Sequence, residues 1–331
     1  MPQPTMNQVH VNRPLTNLTV GWLQSQDHFI AHRVFPNVPV QNRSDQYYVW
    51  DRGSFNMDQA RKRNPATRSA YAGVGLSTAT YSVDVWALSD TIPDQVRENA
   101  DAAINLEQTK ARVLMNKMLI SKERDWASRY FTTGVWGTDV TGVSGTPSGA
   151  QVKQWNDAAS TPIEDVRAAK TAMLEATGLM PNTMTISQPV MDALVDHPDI
   201  VDRIKYSGGV GNQNPANTSV QALTQLFEMD RILVSRANVN TAAEGTTASN
   251  NFIAGKSALL SYAPPAPGIM EASAGYTFSW NNYVGGSNEF GVAVRNWREE
   301  PIRADWVEAE MAFQHKLTAA DLGYFFATIV A

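Results

Sequence analysis

The sequence predicts a mixed α+β chain organised around one long helix. Three observations carry this. Residues 94–133 contain neither Gly nor Pro, so nothing in the backbone chemistry interrupts a helix there. Two β-prone runs, Tyr47–Trp50 and Thr80–Trp86, flank a polar stretch with few apolar residues to bury. From Thr161 the pattern becomes compact α/β, and from 275 to 331 it reads as strands.

Composition narrows the function classes. The 331 residues suffice for two domains or one elaborate domain, and 43% hydrophobic content supports a true core. There is no cysteine, which excludes disulfides, thiolate zinc sites and cysteine nucleophiles. The first 26 residues lack a charged region followed by an apolar run, so no signal peptide is expected. No apolar window approaches the length of a membrane span. A net charge of −5 argues against a protein that grips DNA through its phosphates.

The elements follow in order. Residues 1–26 are polar and proline-punctuated, and predict an extended N-terminal arm that needs a surface to lie against. His28 and His32 stand at i,i+4, the spacing of a metal pair on one helix face, but no third ligand has a telling position. The plainer expectation is a short helix ending before Phe35-Pro36, with Val34, Phe35, Val38 and Val40 anchoring the chain. Residues 46–88 predict a long hairpin. Its connection, 51–79, carries Arg52, Arg61, Lys62, Arg63 and Arg68. A connection of that length inside one domain is uncommon and usually functional. The Arg61-Lys62-Arg63 cluster is open to three readings, a phosphate site, a solvated loop tip, or a tip that meets acidic groups on another subunit; the flanking strands suggest a projecting arm and favour the last.

The helix region divides into a short piece (about 93–102, Pro93 first) and a long one (about 105–132), which Asn105 and Gln108 cap. Its middle is apolar and its end charged: Lys122, Glu123, Arg124, Asp125 and Arg129, with Asp125 and Arg129 at i,i+4. A Gly/Ser/Thr-rich connection with short strands follows. Thr161, Pro162 and Glu164 predict a capping box for a helix that stops at Gly178. Then come a strand at Thr183–Ser187, helices at Pro189–Val195 and Asp199–Tyr206, a helix at Val220–Phe227 and a strand at Arg231–Ser235. The 207–219 loop has glycines but no GK[ST], so it is not a phosphate loop. Residues 238–251 read as an exposed polar loop and Phe252–Tyr262 as a strand. In the last segment Val307, Ala309, Met311 and Phe313 alternate with Glu308 and Glu310, predicting one apolar and one solvated acidic face. The apolar run Tyr324–Val330 ties the end of the chain into a sheet.

This succession resembles the major capsid proteins of tailed bacteriophages, which share the Hong-Kong-97-type fold. The stretches that carry the likeness are HRVFPNVPV (32–40), YYVWDRG (47–53), ALSDTIPDQVRENAD (87–101), LISKERDWASRYFTTGVW (119–136), TPIEDVRAAKTAMLEATGLMPNTMTIS (161–187) and LVDHPDIVDRIKY (194–206). The resemblance implies an N-terminal arm over 1–40, an extended loop over 41–87 and a peripheral domain with the spine helix over 88–154. An axial domain would span 155–300, and C-terminal strands 301–331 would return to the peripheral domain. It implies a head protein that self-assembles, as hexamers and pentamers, into an icosahedral shell around double-stranded DNA bound without sequence specificity. Its further partners would be a portal protein and, where used, scaffolding and decoration proteins. The protein would be made and assembled in the host cytoplasm and reside in the virion, with no membrane partner, catalytic residue, metal or cofactor. Tyr48, Trp50, Arg61, Lys62, Arg63 and Arg68 are the expected intersubunit contacts. Three alternatives remain open. An encapsulin-like compartment would hold protein cargo instead of DNA. An enzyme would need a motif such as GxSxG, HExxH or GxGxxG after a strand, and none is present. A tail or decoration protein would not require the long helix.

Overall fold

A computed structural model describes residues 23–99, 105–207, 219–243, 245–268, 271–284 and 292–331. Most of the expected N-terminal arm (1–22) and of the glycine-containing 207–219 loop lies outside the described residues.

The long helix spans Leu106–Tyr130, and the Asn105 side chain accepts from the Gln108 N–H at 3.1 Å, as the sequence predicts. The short helix before it is Asp94–Glu98. Pro93 is not its first residue; it closes the preceding strand, Asp84–Pro93, in extended backbone. The two halves of the long helix serve two cores. Leu114, Met118 and Leu119 pack with Ile92, Val307, Ala309, Met311 and Phe313. About two turns on, Trp126, Ala127 and Tyr130 pack with Ile30, Phe35, Leu259 and Phe325.

The first core lies on a five-stranded sheet whose central strand is Ala304–Leu317. That strand pairs antiparallel with Asp84–Pro93, with Val292–Glu299 and, through residues 313–317, with Gly275–Trp280. Asn37–Val40 adds a parallel strand beyond 275–280. The second body is a six-stranded sheet in the order Gln151–Lys153, Thr138–Val143, Gly323–Ala327, Ala258–Ser261, Thr183–Ser187, Arg231–Ser235. Its last two strands are parallel, so the chain between them must cross over, and it does so through helices. Helices Pro162–Thr177, Gln188–Asp196, Pro198–Ser207 and Val220–Leu226 belong to this body. Gly178 ends the first of them at φ +76, the left-handed conformation its missing Cβ permits, with its N–H on the Leu174 carbonyl at 2.7 Å.

Several expectations are corrected. The Thr80–Trp86 run is two strands, not one. Leu76–Ser82 pairs with Ser44–Trp50 in the hairpin, while Asp84 begins the strand that joins the five-stranded sheet. The break falls at Val83, which is fully buried and donates its N–H to the Arg43 carbonyl. The Thr161 side chain makes no capping bond, and Glu164 reaches Arg203 at 3.2 Å instead. His28 lies in a 3-10 turn and His32 in the helix Ala31–Val34, so one helix does not present both. Residues 238–251 are not all loop, because Asn238–Asn240 and Asn250–Phe252 pair antiparallel. Of Phe252–Tyr262 only Ala258–Ser261 joins the large sheet.

The acidic face of 304–317 is not solvated either. Glu310 is buried, with Arg295 at 3.3 Å and the Tyr283 hydroxyl at 3.4 Å over it, while Glu308 is half-buried. Sheet membership also crosses the expected boundary at 300. Gly275–Trp280 and Val292–Glu299 pair in the long-helix sheet, and Gly323–Ala327 pairs in the six-stranded one. The last strand is apolar on both faces, Phe325 packing into one core and Phe326 into the other, which only an interior position satisfies.

Candidate assembly surfaces

The hairpin and the sheet beneath the long helix together carry most of the large apolar side chains left exposed. The hairpin's pleat sorts its two faces. Tyr47 lies 5.5 Å from Phe278, and Tyr81 stacks on the same ring at 4.6 Å, so this face is fastened to the body. Tyr48 and Trp50, opposite Thr78 and Leu76, are on the other face. Tyr48 is 71% exposed. The connection begins with the one-turn helix Arg52–Phe55, capped by Asp51, whose carboxylate accepts from the Ser54 hydroxyl (2.6 Å) and the Gly53 N–H (3.2 Å). These bonds hold the Asp51 carboxyl below the usual carboxylate range. Arg52 ties the start of the connection to Asp321. Beyond it Phe55 and Met57 are exposed, and Tyr71 is 94% exposed. A single chain gives these residues almost nothing to bury against.

The structure leaves all six expected contact residues accessible. Tyr48 and Trp50 share a hairpin face, and Trp50 packs edge-on against Phe55. Arg61, Lys62, Arg63 and Arg68 are exposed, and among the described residues none pairs with a carboxylate. Arg63 donates to the Thr67 carbonyl, which draws the two parts of the basic tip together.

The second exposed apolar surface flanks the long helix: Trp86 and Leu88 on one edge strand and Val294 on the other, on the sheet face that carries Ala309 and Met311, while Val85 and Trp297 are exposed on the opposite face. Exposed Asp84, Glu98 and Glu300 rim it. An ion-pair clasp closes one end. Arg298 is bidentate to Asp94 (2.8 and 2.9 Å) and also reaches Glu300 and Asp305, while Arg97 joins Glu107 and Asp305. The carboxylates raise the already high Arg298 pKa further, and Arg298 lowers that of Asp94.

Sequence reasoning missed a buried polar group at the other end of the helix. Lys122 and Glu123 were expected among solvated charges, yet they are 7% and 1% exposed. Glu123 sits on the apolar stripe of Leu119, Trp126 and Tyr130, and that 3–4 spacing is the signal that could have found it. Its Oε2 accepts from the backbone N–H groups of Ile30 (3.0 Å) and Ala31 (2.9 Å). Burial raises its carboxyl to about 7, although the two N–H bonds and Lys122 oppose the rise. Burial lowers Lys122 to about 8, its ammonium lying 5.3 Å from the centre of the Phe313 ring. His315, held by Thr277 at 2.8 Å, is pushed down to about 3 by burial, with Lys122 adding to the effect.

Among the described residues no cluster of His, Cys, Asp and Glu could hold a metal, and no helix is long and apolar enough to cross a membrane. What the chain offers is an extended arm without its own core, a second apolar surface, and a rigid two-sheet body. The fold is that of phage capsid shells. A phage-related protein from Bordetella bronchiseptica RB50 superposes with a TM-score of 0.66 at 22% identity, over 92% of this chain and 94% of that one. The capsid structure of cyanophage P-SCSP1u gives 0.58 at 13% identity, over 94% and 90%. The chain belongs to the phage major capsid protein E family, whose sequence model matches residues 147–312. The major capsid protein of Burkholderia phage BcepMu is 24% identical over 326 residues, 96% of each chain. The protein is therefore a phage major capsid protein, a structural component of the virion and not an enzyme.

Proposed function

We propose that copies of this chain assemble as hexamers and pentamers into an icosahedral head around double-stranded DNA, with the hairpin arm of each copy lying on its neighbour. In this reading residues 41–87 are the extended loop. The long helix and five-stranded sheet form the peripheral domain, and the six-stranded body forms the axial domain at the centre of each ring. The observation that carries the reading is the pairing of the two exposed surfaces. Both expose large apolar side chains, and the 51–79 connection carries a basic excess, Arg52, Arg61, Lys62, Arg63 and Arg68 against Asp51 and Asp58, for which the exposed carboxylates of Asp84 and Glu98 beside the sheet are partners of opposite sign. Two different patches on one subunit make a head-to-tail contact, which closes into rings when the rotation permits. Weak contacts of this kind add through multivalency.

A mildly acidic chain suits an interior that must hold DNA densely without gripping it. The same reading places assembly in the host cytoplasm. It gives the shell a portal protein and, where used, scaffolding and decoration proteins as partners. Family membership disfavours the encapsulin-like alternative, in which the shell would enclose protein cargo.

The test is charge reversal of the tip, Arg61→Glu, Lys62→Glu and Arg63→Glu together. The side chains are exposed, so the subunit should keep its circular dichroism spectrum and unfolding midpoint. Electron microscopy should show no closed shells. Normal shells from this variant would sink the proposal.

A further inference from the structure

We infer that Glu123 is a proton-operated latch that fastens the root of the hairpin arm to the long helix. The segment it holds is short and well defined. Phe29, Ile30, Ala31, Val34 and Phe35 are all buried, dividing between the two cores that share the long helix. Pro36 follows, and the chain runs directly into the strand Asn37–Val40 and then the hairpin strand Ser44–Trp50. Whatever fixes residues 29–36 therefore fixes where the arm leaves the body. The polar fastening is the Glu123 carboxyl, whose Oε2 accepts both the Ile30 and Ala31 N–H groups.

The two oxygens of this carboxyl are not equivalent. Oε1 is buried and has no partner within hydrogen-bond geometry, although the Ser235 hydroxyl lies beside it. Protonated on Oε1, the group is neutral, and Oε2 still accepts from the two backbone donors. Ionised, it leaves a charged oxygen away from water with only the Ser235 hydroxyl beside it, which is costly. Opening the 29–36 segment admits water to Oε1, so the ionised form favours the open arrangement.

The surrounding charges do not remove this asymmetry. Lys122, next to Glu123 on the long helix, is the cation that acts on it, but its own ammonium is buried near Phe313 and works against burial itself. His315, on the strand beneath, is neutral above about pH 3. On the short helix, Arg33 is turned to Asp27 at 3.6 Å, and the strand Arg231–Ser235 offers only the Ser235 hydroxyl. The latch is thus tightest below about pH 4.5 and loosens as the pH rises to about 7, above which the effect levels off. The inference does not depend on what the arm touches outside its own chain.

Hydrogen–deuterium exchange of the full-length protein, read by mass spectrometry on peptides covering 24–36 and divided by the intrinsic rate at each pH, tests it. With the carboxyl near 7 when closed and near its ordinary 4.5 when open, the corrected rate should rise about tenfold between pH 6 and pH 8. Glu123→Gln keeps an acceptor for the two N–H groups but cannot ionise, and should abolish the rise. A peptide from Pro162–Thr177 serves as the internal control and should show none. A wild-type 24–36 signal no more pH-dependent than that control would overturn the inference, whether or not the Gln variant folds. So would an identical rise in the Gln variant.

Discussion

Removing the ring of Tyr71 separates the stability of the subunit from the strength of its contacts. At 94% exposure Tyr71 buries almost nothing in its own chain, and Tyr48 at 71% buries little. Tyr71→Ala with Tyr48→Ala should therefore change the folding free energy of the subunit by no more than about 0.5 kcal/mol for each site. If the rings enter a neighbour's apolar surface, each becomes a buried interfacial tyrosine, and truncating such a residue costs on the order of 2 kcal/mol. Each truncation weakens the pairwise contact roughly thirtyfold. A shell repeats the contact at every subunit, so the concentration at which shells appear should rise by at least about tenfold. The assay compares urea unfolding of subunits with light scattering across a concentration series. An unchanged assembly threshold would refute the reasoning. A subunit destabilised by about 2 kcal/mol or more would also refute it, because the rings would then be packing within their own chain.

Two further outcomes follow from the interior. Burial lowers His315 from 6.5 to about 3, so the unfolded chain takes up this proton first, and stability present above pH 6.5 is lost as the pH falls toward 3. The group's share of that loss between pH 7 and pH 4 is about 3 kcal/mol, and His315→Gln should flatten this part of the urea-midpoint profile. Gly323→Ala would drive a Cβ into the buried Trp136 ring, so overpacking should cost about 1–3 kcal/mol and lower the melting temperature; an unchanged melting temperature would show that the ring gives way freely.

Much of this molecule was legible in local chemistry. The long helix shows itself by forty residues without Gly or Pro and by its Asn105 cap, and the structure begins and ends it within two residues of that reading. Thr183–Ser187 and Arg231–Ser235 are found as read because turns and glycine stops bracket the α/β units. The basic tip was visible as composition alone. The misreadings of burial concern what covers a residue, which strand alternation and charge runs do not carry, although the 3–4 stripe that holds Glu123 was there to be read. Glu310 alternates like a solvated strand residue, yet Tyr283 and Arg295 lie over its carboxylate. Lys122 and Glu123 sit in a charged run, yet the 29–36 segment and the sheet close over them. Val83 breaks a continuous β-prone run because the chain must pass there from the hairpin into the body, a consequence of tertiary position.

The most direct test of the arm-on-neighbour reading is a cryo-electron microscopy reconstruction of assembled shells. It should show Tyr48, Tyr71 and Leu76 buried against another copy, with Arg61, Lys62 and Arg63 near that copy's carboxylates. A closed shell in which every hairpin lies open to solvent, or folds back wholly onto its own subunit, would contradict it.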